Sequence, residues 1–189
     1  HPTAQRHFDG KTELMTIVVR ERQFNIRPIA QDDLDAVLVV YRQCQDFLAL
    51  GPILAASMEM VRQDIEYSSR NGGVFCGIYT ANEDMMGVVD YVPCNFDGDP
   101  HVAYFSLLMV AAPFRKQGIG TAVVEAIENE IGNGRQVTAI LSGVQVNNPR
   151  AVQFWQRRGY RVITGPELQD DQTIVFGLRK DVAGSEDER

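Results

Sequence analysis

The stretch that most constrains this chain is residues 107–121, where an apolar run ending Leu108-Met109-Val110-Ala111 meets a short polar loop and then an amphipathic pattern. Gly118 and Gly120 fall at the join. A strand that runs into a helix through a Gly-x-Gly connection leaves the first backbone N–H groups of the helix unpaired. Glycine there lets the backbone approach a bulky group with no Cβ in the way, and the helix dipole favours negative charge. Arg115 and Lys116, just upstream, add positive charge. The segment therefore reads as an anion cradle, with a plain tight connection as the simpler alternative. Two well-known cradles fail on the residues. A P-loop ends in Gly-Lys-Ser/Thr, whereas Thr121 follows Gly120 directly, and a dinucleotide fingerprint places a third glycine where Val123 stands.

The rest of the chain reads as one α+β domain of residues 23–180, with residues 1–22 as an amino-terminal extension and 181–189 as a polar tail. At 189 residues there is room for one sizeable core and little for a second. Met15, followed by Thr16-Ile17-Val18-Val19, offers a natural start with added residues ahead of it. Phe24 and Ile26 alternate with polar neighbours in a first short strand. Leu34, Val37, Leu38, Tyr41, Cys44 and Leu48 then recur at helical spacing behind an Asp32 cap, until Gly51-Pro52 ends the pattern. Ser57 caps a second helix that stops at Gly72-Gly73. Strand-like runs follow at 74–80, 85–92 and 102–111, and a helix at 119–131 carries Val123, Ile127 and Ile131 four apart. A strand at 137–146 leads to Asn148-Pro149, a capping side chain and a first-turn proline, and so to a helix at 150–158. Strands near 160–163 and 173–178 finish the chain. The order predicts a central mixed, mostly antiparallel sheet flanked by about four helices, with one strand–helix–strand crossover.

With those elements in place, the chain resembles the GNAT superfamily of N-acetyltransferases. Arg115-Lys116-Gln117-Gly118-Ile119-Gly120, after Pro113 and an apolar strand, is similar to its Arg/Gln-x-x-Gly-x-Gly/Ala signature. Asn148, Ala151, Phe154, Trp155, Gly159 and Tyr160 resemble its second coenzyme-contacting segment of Asn, Ala, an aromatic pair, then Gly and an aromatic residue. The resemblance implies a GNAT-like fold and acetyl-CoA as acyl donor. It implies that residues 115–121, Thr121 included, hold the pyrophosphate, and that the backbone of Met109, Val110 and Ala111 bonds the pantetheine arm. Asn148 and Trp155 would reach the coenzyme from the other side.

The same resemblance makes the proton-transfer groups conspicuous by departure. Many relatives place a tyrosine acid at the second position of the aromatic pair, where this chain has Trp155, whose indole does not titrate usefully. A glutamate base of some relatives falls on Gly143. Other relatives keep a base near the start of the strand that enters the loop, and here Tyr104 and Ser106 are available, with His101 just before. Asp90, one strand away, is a further candidate. Tyr104 and Asp90 are the catalytic expectation, beside the readings of a packed sheet aromatic and a strand-face charge.

The expected acceptor is the primary amine of a small molecule, chosen by the helices between residues 32 and 70 and the loop 93–100; Asp97, Asp99 and Glu59 read first as a solvated acidic surface and, as the alternative, as attracting a cationic amine. A peptide or protein amine is the nearest enzyme alternative, and a sensor that binds acyl-CoA without turnover is the alternative from another class. The formal charge of −7 argues against a general nucleic-acid binder, and no apolar run reaches the roughly 20 residues of a membrane span. Cys44, Cys76 and Cys94 form no CxxC pair, and His1, His7 and His101 have no zinc-ligand spacing, which fits reduced thiols in the cytoplasm and no metal. The oligomeric state is open, a homodimer included.

Overall fold

The computed structural model describes residues 3–9, 12–19, 22–52, 55–133 and 136–182, and of residues 3–14 and 19 the backbone alone. Among the described residues nine strands form one sheet: β1 (Thr3–Asp9), β2 (Thr12–Val19), β3 (Arg22–Pro28), β4 (Val74–Thr80), β5 (Met85–Val92), β6 (Val102–Val110), β7 (Ala139–Gln145), β8 (Arg161–Leu168) and β9 (Ile174–Asp181). The spatial order is β1-β2-β3-β4-β5-β6-β7-β9-β8. Every neighbouring pair is antiparallel except β6 and β7, which are parallel because a helix carries the chain between them. This is the expected α+β architecture with a mixed, mostly antiparallel sheet.

The helices cover both faces. On one lie α1 (Leu34–Gln43), the single-turn α2 (Gln45–Leu48) and α3 (Met58–Arg70), and their core joins Val37, Val40, Tyr41 and Val61 to Phe75 of β4, Val88 of β5 and Met109 of β6. On the other lie α4 (Ile119–Gly132) and α5 (Pro149–Arg157), where Val123, Ile127 and Ile131 meet Ile26, Ile78, Val89 and Phe105. Burying a residue such as Ile127 or Val123 contributes about 1.5–3 kcal/mol.

Several local expectations change. The single helix behind Asp32 is in fact a 3₁₀ turn at Gln31–Asp33 followed by α1 and α2, with a break at Cys44, whose φ of −107° and ψ of 26° leave the helical region. Asp33, not Asp32, serves the helix start: its carboxylate accepts the Ala30 N–H at 2.8 Å and pairs with Arg27. Ser57 caps α3 as expected, its Oγ accepting from Met60 N at 3.1 Å. The first strand is preceded by β1 and β2, which extend the same sheet, and Ile17 of β2 is fully buried. The polar end at 184–189 and the His1 position lie outside the described residues.

Two features of β6 position the site. Its parallel pairing with β7 runs from Val102 to Phe105, opposite Ala139 to Ser142, and stops there, so the two strands part. At that fork Ser142 Oγ donates to the Phe105 carbonyl at 3.1 Å. On the β5 side the register shifts: Asp90 is opposite Leu107 but Tyr91 is opposite Phe105, leaving Ser106 as an extra residue. Such a bulge bends a strand and resets its alternation. Accordingly Phe105 points into the α4 core while Leu107, two residues on, packs on the α1 side.

Candidate active site

Between the parted ends of β6 and β7 lies a cleft of about 980 Å³, lined from the α1–α2 segment, Tyr67 of α3, β6, the start of α4, β7, α5 and the turn between β8 and β9. Beyond Phe105, β6 has neighbours on one side only. Ala111 N donates to Met86 O at 2.8 Å, and pairing alternates, so the Met109 backbone faces Val88 while Leu108 and Val110 face the open edge. Of the expected trio, Met109 and Val110 line the cleft and Ala111 does not. Ala111 is fully buried, with its N–H on Met86 and its carbonyl accepting from Phe114 N at 2.9 Å. Leu108, two residues before Val110, also lines the cleft, a position the sequence reading did not name and strand parity from Val110 could have marked.

At the loop the backbone turns as the glycines require. Gly118 is the cap of α4 with φ 82°, a left-handed conformation that costs an L side chain strain, and Lys116 also takes a positive φ of 61°. A Cβ at Gly120 would stand 3.5 Å from the Phe154 ring and 4.0 Å from Val110 Cγ2, so the missing side chain leaves space between the helix start and both walls of the cleft. Lys116 and Gly120 line the cleft, with Arg150 of α5 across from them.

Arg115 lines it too, but its guanidinium is engaged: Nε donates to Val110 O at 2.8 Å, and Nη1 and Nη2 reach Asp46 at 2.6 and 3.0 Å. That ion pair is largely solvent-exposed, worth at most about 1 kcal/mol, so an anion at the loop competes with it readily. Gln117, Gly118, Ile119 and Thr121 are not lining residues. The Gln117 side chain accepts from Arg22 and donates to Pro113 O, and Ile119 is buried in the core. Thr121 Oγ1 accepts from Arg158, whose guanidinium also lies 5.4 Å from the Phe154 ring centroid. Arg158 thus sets a cation beside the first turn of α4, a residue that no motif marked.

Across the fork, Asn148 lines the cleft while its Oδ1 caps α5 by accepting from Ala151 N at 3.1 Å. Trp155 is 7% exposed and packs against Phe105, Phe154 and Tyr160 at centroid distances of 5.3, 5.4 and 4.9 Å. It forms the floor of the cleft rather than a titrating group.

The proposed proton-transfer residues separate. Tyr104 lines the cleft, stacks on Phe96 at 4.2 Å, and its hydroxyl lies 3.1 Å from where a Gly143 Cβ would be. Burial pushes its phenol above the ordinary tyrosine value, so it stays protonated. Asp90 is not a lining residue: it is 4% exposed, and its Oδ1 accepts from Ser68 Oγ at 2.6 Å. Ser106, by contrast, is exposed in the cleft. His101 sits at the start of β6 with Nδ1 2.7 Å from Gln136 O, outside the lining. Asp97, Asp99 and Glu59, read as attracting a cation only in the alternative, do not line the cleft; Asp46, Asp170 and Asp171 do, the last two on the β8–β9 turn.

The model of the "Acetyltransferase (GNAT) family" matches residues 41–160, more than half the chain. N-alpha-acetyltransferase 60 of Xenopus tropicalis is 34% identical over 100 residues, 47% of this chain and 41% of that protein, so the chain spans less than half the length of this curated relative. An acetyltransferase of Thermus thermophilus superposes with a TM-score of 0.70 at 18% identity, over 84% of this chain and 97% of that one. A spermidine N-acetyltransferase of Vibrio cholerae, solved with CoA and spermine, superposes with a TM-score of 0.64 at 12% identity, over 84% and 95%. The two structures share the fold, and the family match, which spans both the glycine loop and the Asn148 segment, goes further. The chain belongs to the acetyltransferase (GNAT) family.

Proposed function

We propose that the protein transfers the acetyl group of acetyl-CoA to the primary amine of a small molecule. The observation that carries this reading is the fork: a strand edge along which Leu108 and Val110 have no partner strand, ending in a glycine loop at a helix N-terminus, beside a large cleft. Acetyl-CoA supplies an acyl group activated as a thioester. The first turn of α4, with Lys116 on one side and Arg158 by Thr121, suits its pyrophosphate. The backbone of Leu108 and Val110 suits the amide-bearing arm; moving Arg115 off both Asp46 and the Val110 carbonyl leaves that carbonyl only the Cys44 thiol at 3.5 Å and adds a further cation.

On the acceptor side, Asp170 and Asp171 favour a cationic amine. Tyr104, held protonated and lining the cleft, is our candidate for the acid that protonates the departing thiolate, the role left vacant by Trp155. A second reading, the α-amine of a peptide, is favoured by the relative named N-alpha-acetyltransferase 60.

The test is release of free thiol from acetyl-CoA in the presence of spermidine, tyramine, L-lysine and a hexapeptide with a free amino terminus. Turnover of one of the first three supports the proposal, and turnover of the hexapeptide alone supports the second reading. Acetyl-CoA binding with no release for any amine would make the protein a sensor and overturn both.

A further inference from the structure

Gln145 ends β7 at the wall of the cleft, and its Oε1 is shielded from solvent with no hydrogen-bond partner among the described residues. Its Nε2 stands 3.8 Å from where a Gly51 Cβ would be, so the amide lies against the segment that follows α2. Asn147 Nδ2 ties that segment to the same end of β7 by donating to Leu50 O at 3.1 Å. A buried acceptor without a donor is costly, and a leucine would fill the position without that cost. Packing alone therefore does not account for a glutamine here.

Neighbouring residues fix the side of the sheet on which the amide lies. Val144 packs into the core formed with α4 and α5, so Gly143 and Gln145, on either side of it, face the other way. Gln145 is opposite Val175 of β9, and the Gly51 Cβ position is also 4.0 Å from Thr173 Cγ2, so Gln145 and Thr173 converge on one spot. Thr173 in turn holds Asp171: its N–H and Oγ1 donate to Asp171 Oδ1 at 3.0 and 2.6 Å. Those bonds keep the Asp171 carboxyl below the usual carboxylate range, and so ionised. Gln145, Thr173 and Asp171 all line the cleft.

We infer that Gln145 Oε1 and Asp171 hold a second, non-reacting ammonium group of the acceptor, so that the preferred acceptor is a diamine. The inference rests on the acetyltransferase reading and deepens it. A carboxylate beside the reacting nitrogen would keep it protonated and slow its attack, whereas a spectator ammonium only gains from that charge. The last torsion of a glutamine is soft, and turning it presents Oε1 to the cleft. The strand sets the spacing. Gly143, whose Cβ position is 3.1 Å from the Tyr104 hydroxyl, marks the reacting end. Gln145 is two residues along the same face, about 7 Å away, the span of roughly four or five methylene groups between two nitrogens.

The test compares 1,4-diaminobutane, 4-amino-1-butanol and 1-aminobutane as acceptors, by release of free thiol from acetyl-CoA, in the full chain and in Gln145→Leu and Asp171→Asn. The wild type should favour the diamine over 1-aminobutane by at least about 30-fold in kcat/KM, through KM, with the hydroxyl analogue between them. Each variant should cut that preference by about tenfold. Because Gln145→Leu removes an unpaired oxygen, its denaturation midpoint should equal or exceed that of the wild type. A wild type that takes 1-aminobutane within about threefold of the diamine, or an undiminished preference in either folded variant, overturns the subsite and leaves the acetyltransferase reading standing. Turnover of the hexapeptide alone does the same. If one variant does not fold, the other decides together with the wild-type comparison. Release of thiol with no amine at all overturns the acetyltransferase reading and this inference with it.

Discussion

Gly120 and Trp155 show how differently two motif residues serve one cleft. Gly120 matters for the atom it lacks, since a side chain there fills the space between Phe154, Val110 and the helix start. Gly120→Trp should abolish acetyl-CoA binding while the melting temperature changes little, and calorimetry against thermal unfolding separates the two effects. Trp155 matters for packing. Its truncation to alanine should cost about 3–5 kcal/mol in denaturant unfolding, with binding lost only as a consequence of a damaged floor. Tyr104→Phe keeps the stack on Phe96 and removes the hydroxyl, so kcat should fall by about 100-fold with KM for acetyl-CoA unchanged. Both glycines and Trp155 were legible in the sequence because their chemistry is local. The engagement of Arg115 by Asp46 was not, because those residues are 69 positions apart and meet only through the fold.

Among elements, the strands of the central meander and the α4 helix lie where periodicity put them, since an alternating or 3.6-residue apolar pattern is a direct consequence of a buried face. The breaks were harder to read. The interruption at Cys44 is invisible in a pattern that continues as far as Leu48, and β2 was passed over because Ile17 is the buried mark of a strand read as a chain start. The bulge at Ser106 has no local signature at all, because it is defined by register against Asp90 and Tyr91. It nonetheless decides where the cleft opens. Deleting Ser106 should make Phe105 and Leu107 consecutive partners of Tyr91 and Asp90, keep Leu107 on the α1 side and take the bend out of the strand, so acetyl-CoA affinity should fall even where circular dichroism shows the sheet retained. Asn148→Ala should cost about 1 kcal/mol through loss of the α5 cap, measured by denaturant unfolding.

For the whole molecule, the charge distribution has consequences for pH. Asp64 and Asp90 have carboxyls raised by burial, so the folded chain holds their protons more tightly than the unfolded one. Their contribution to stability is fully present below the unfolded carboxylate value and is lost as pH rises through the folded one. Asp33 and Asp46, lowered by Arg27 and Arg115, act in the opposite sense and lose their contribution in acid. Asp90→Asn should therefore be at least as stable as the wild type at pH 7 to 8, and lose that advantage near pH 4; denaturant midpoints across this range check the sign. The fold as a whole, a sheet with one parallel pair and helices on both faces, was legible because a single crossover at α4 forces it. The acceptor side was not, since Asp170, Asp171 and Tyr67 come together from a turn and a helix about 100 residues apart that no spacing rule connects. The central claim is that the fork and glycine loop hold acetyl-CoA, and calorimetric titration of the free protein with acetyl-CoA tests it most directly. The account predicts saturable binding at one site per chain that Gly120→Trp removes; absence of binding to the wild type, or unchanged affinity in the variant, would contradict it.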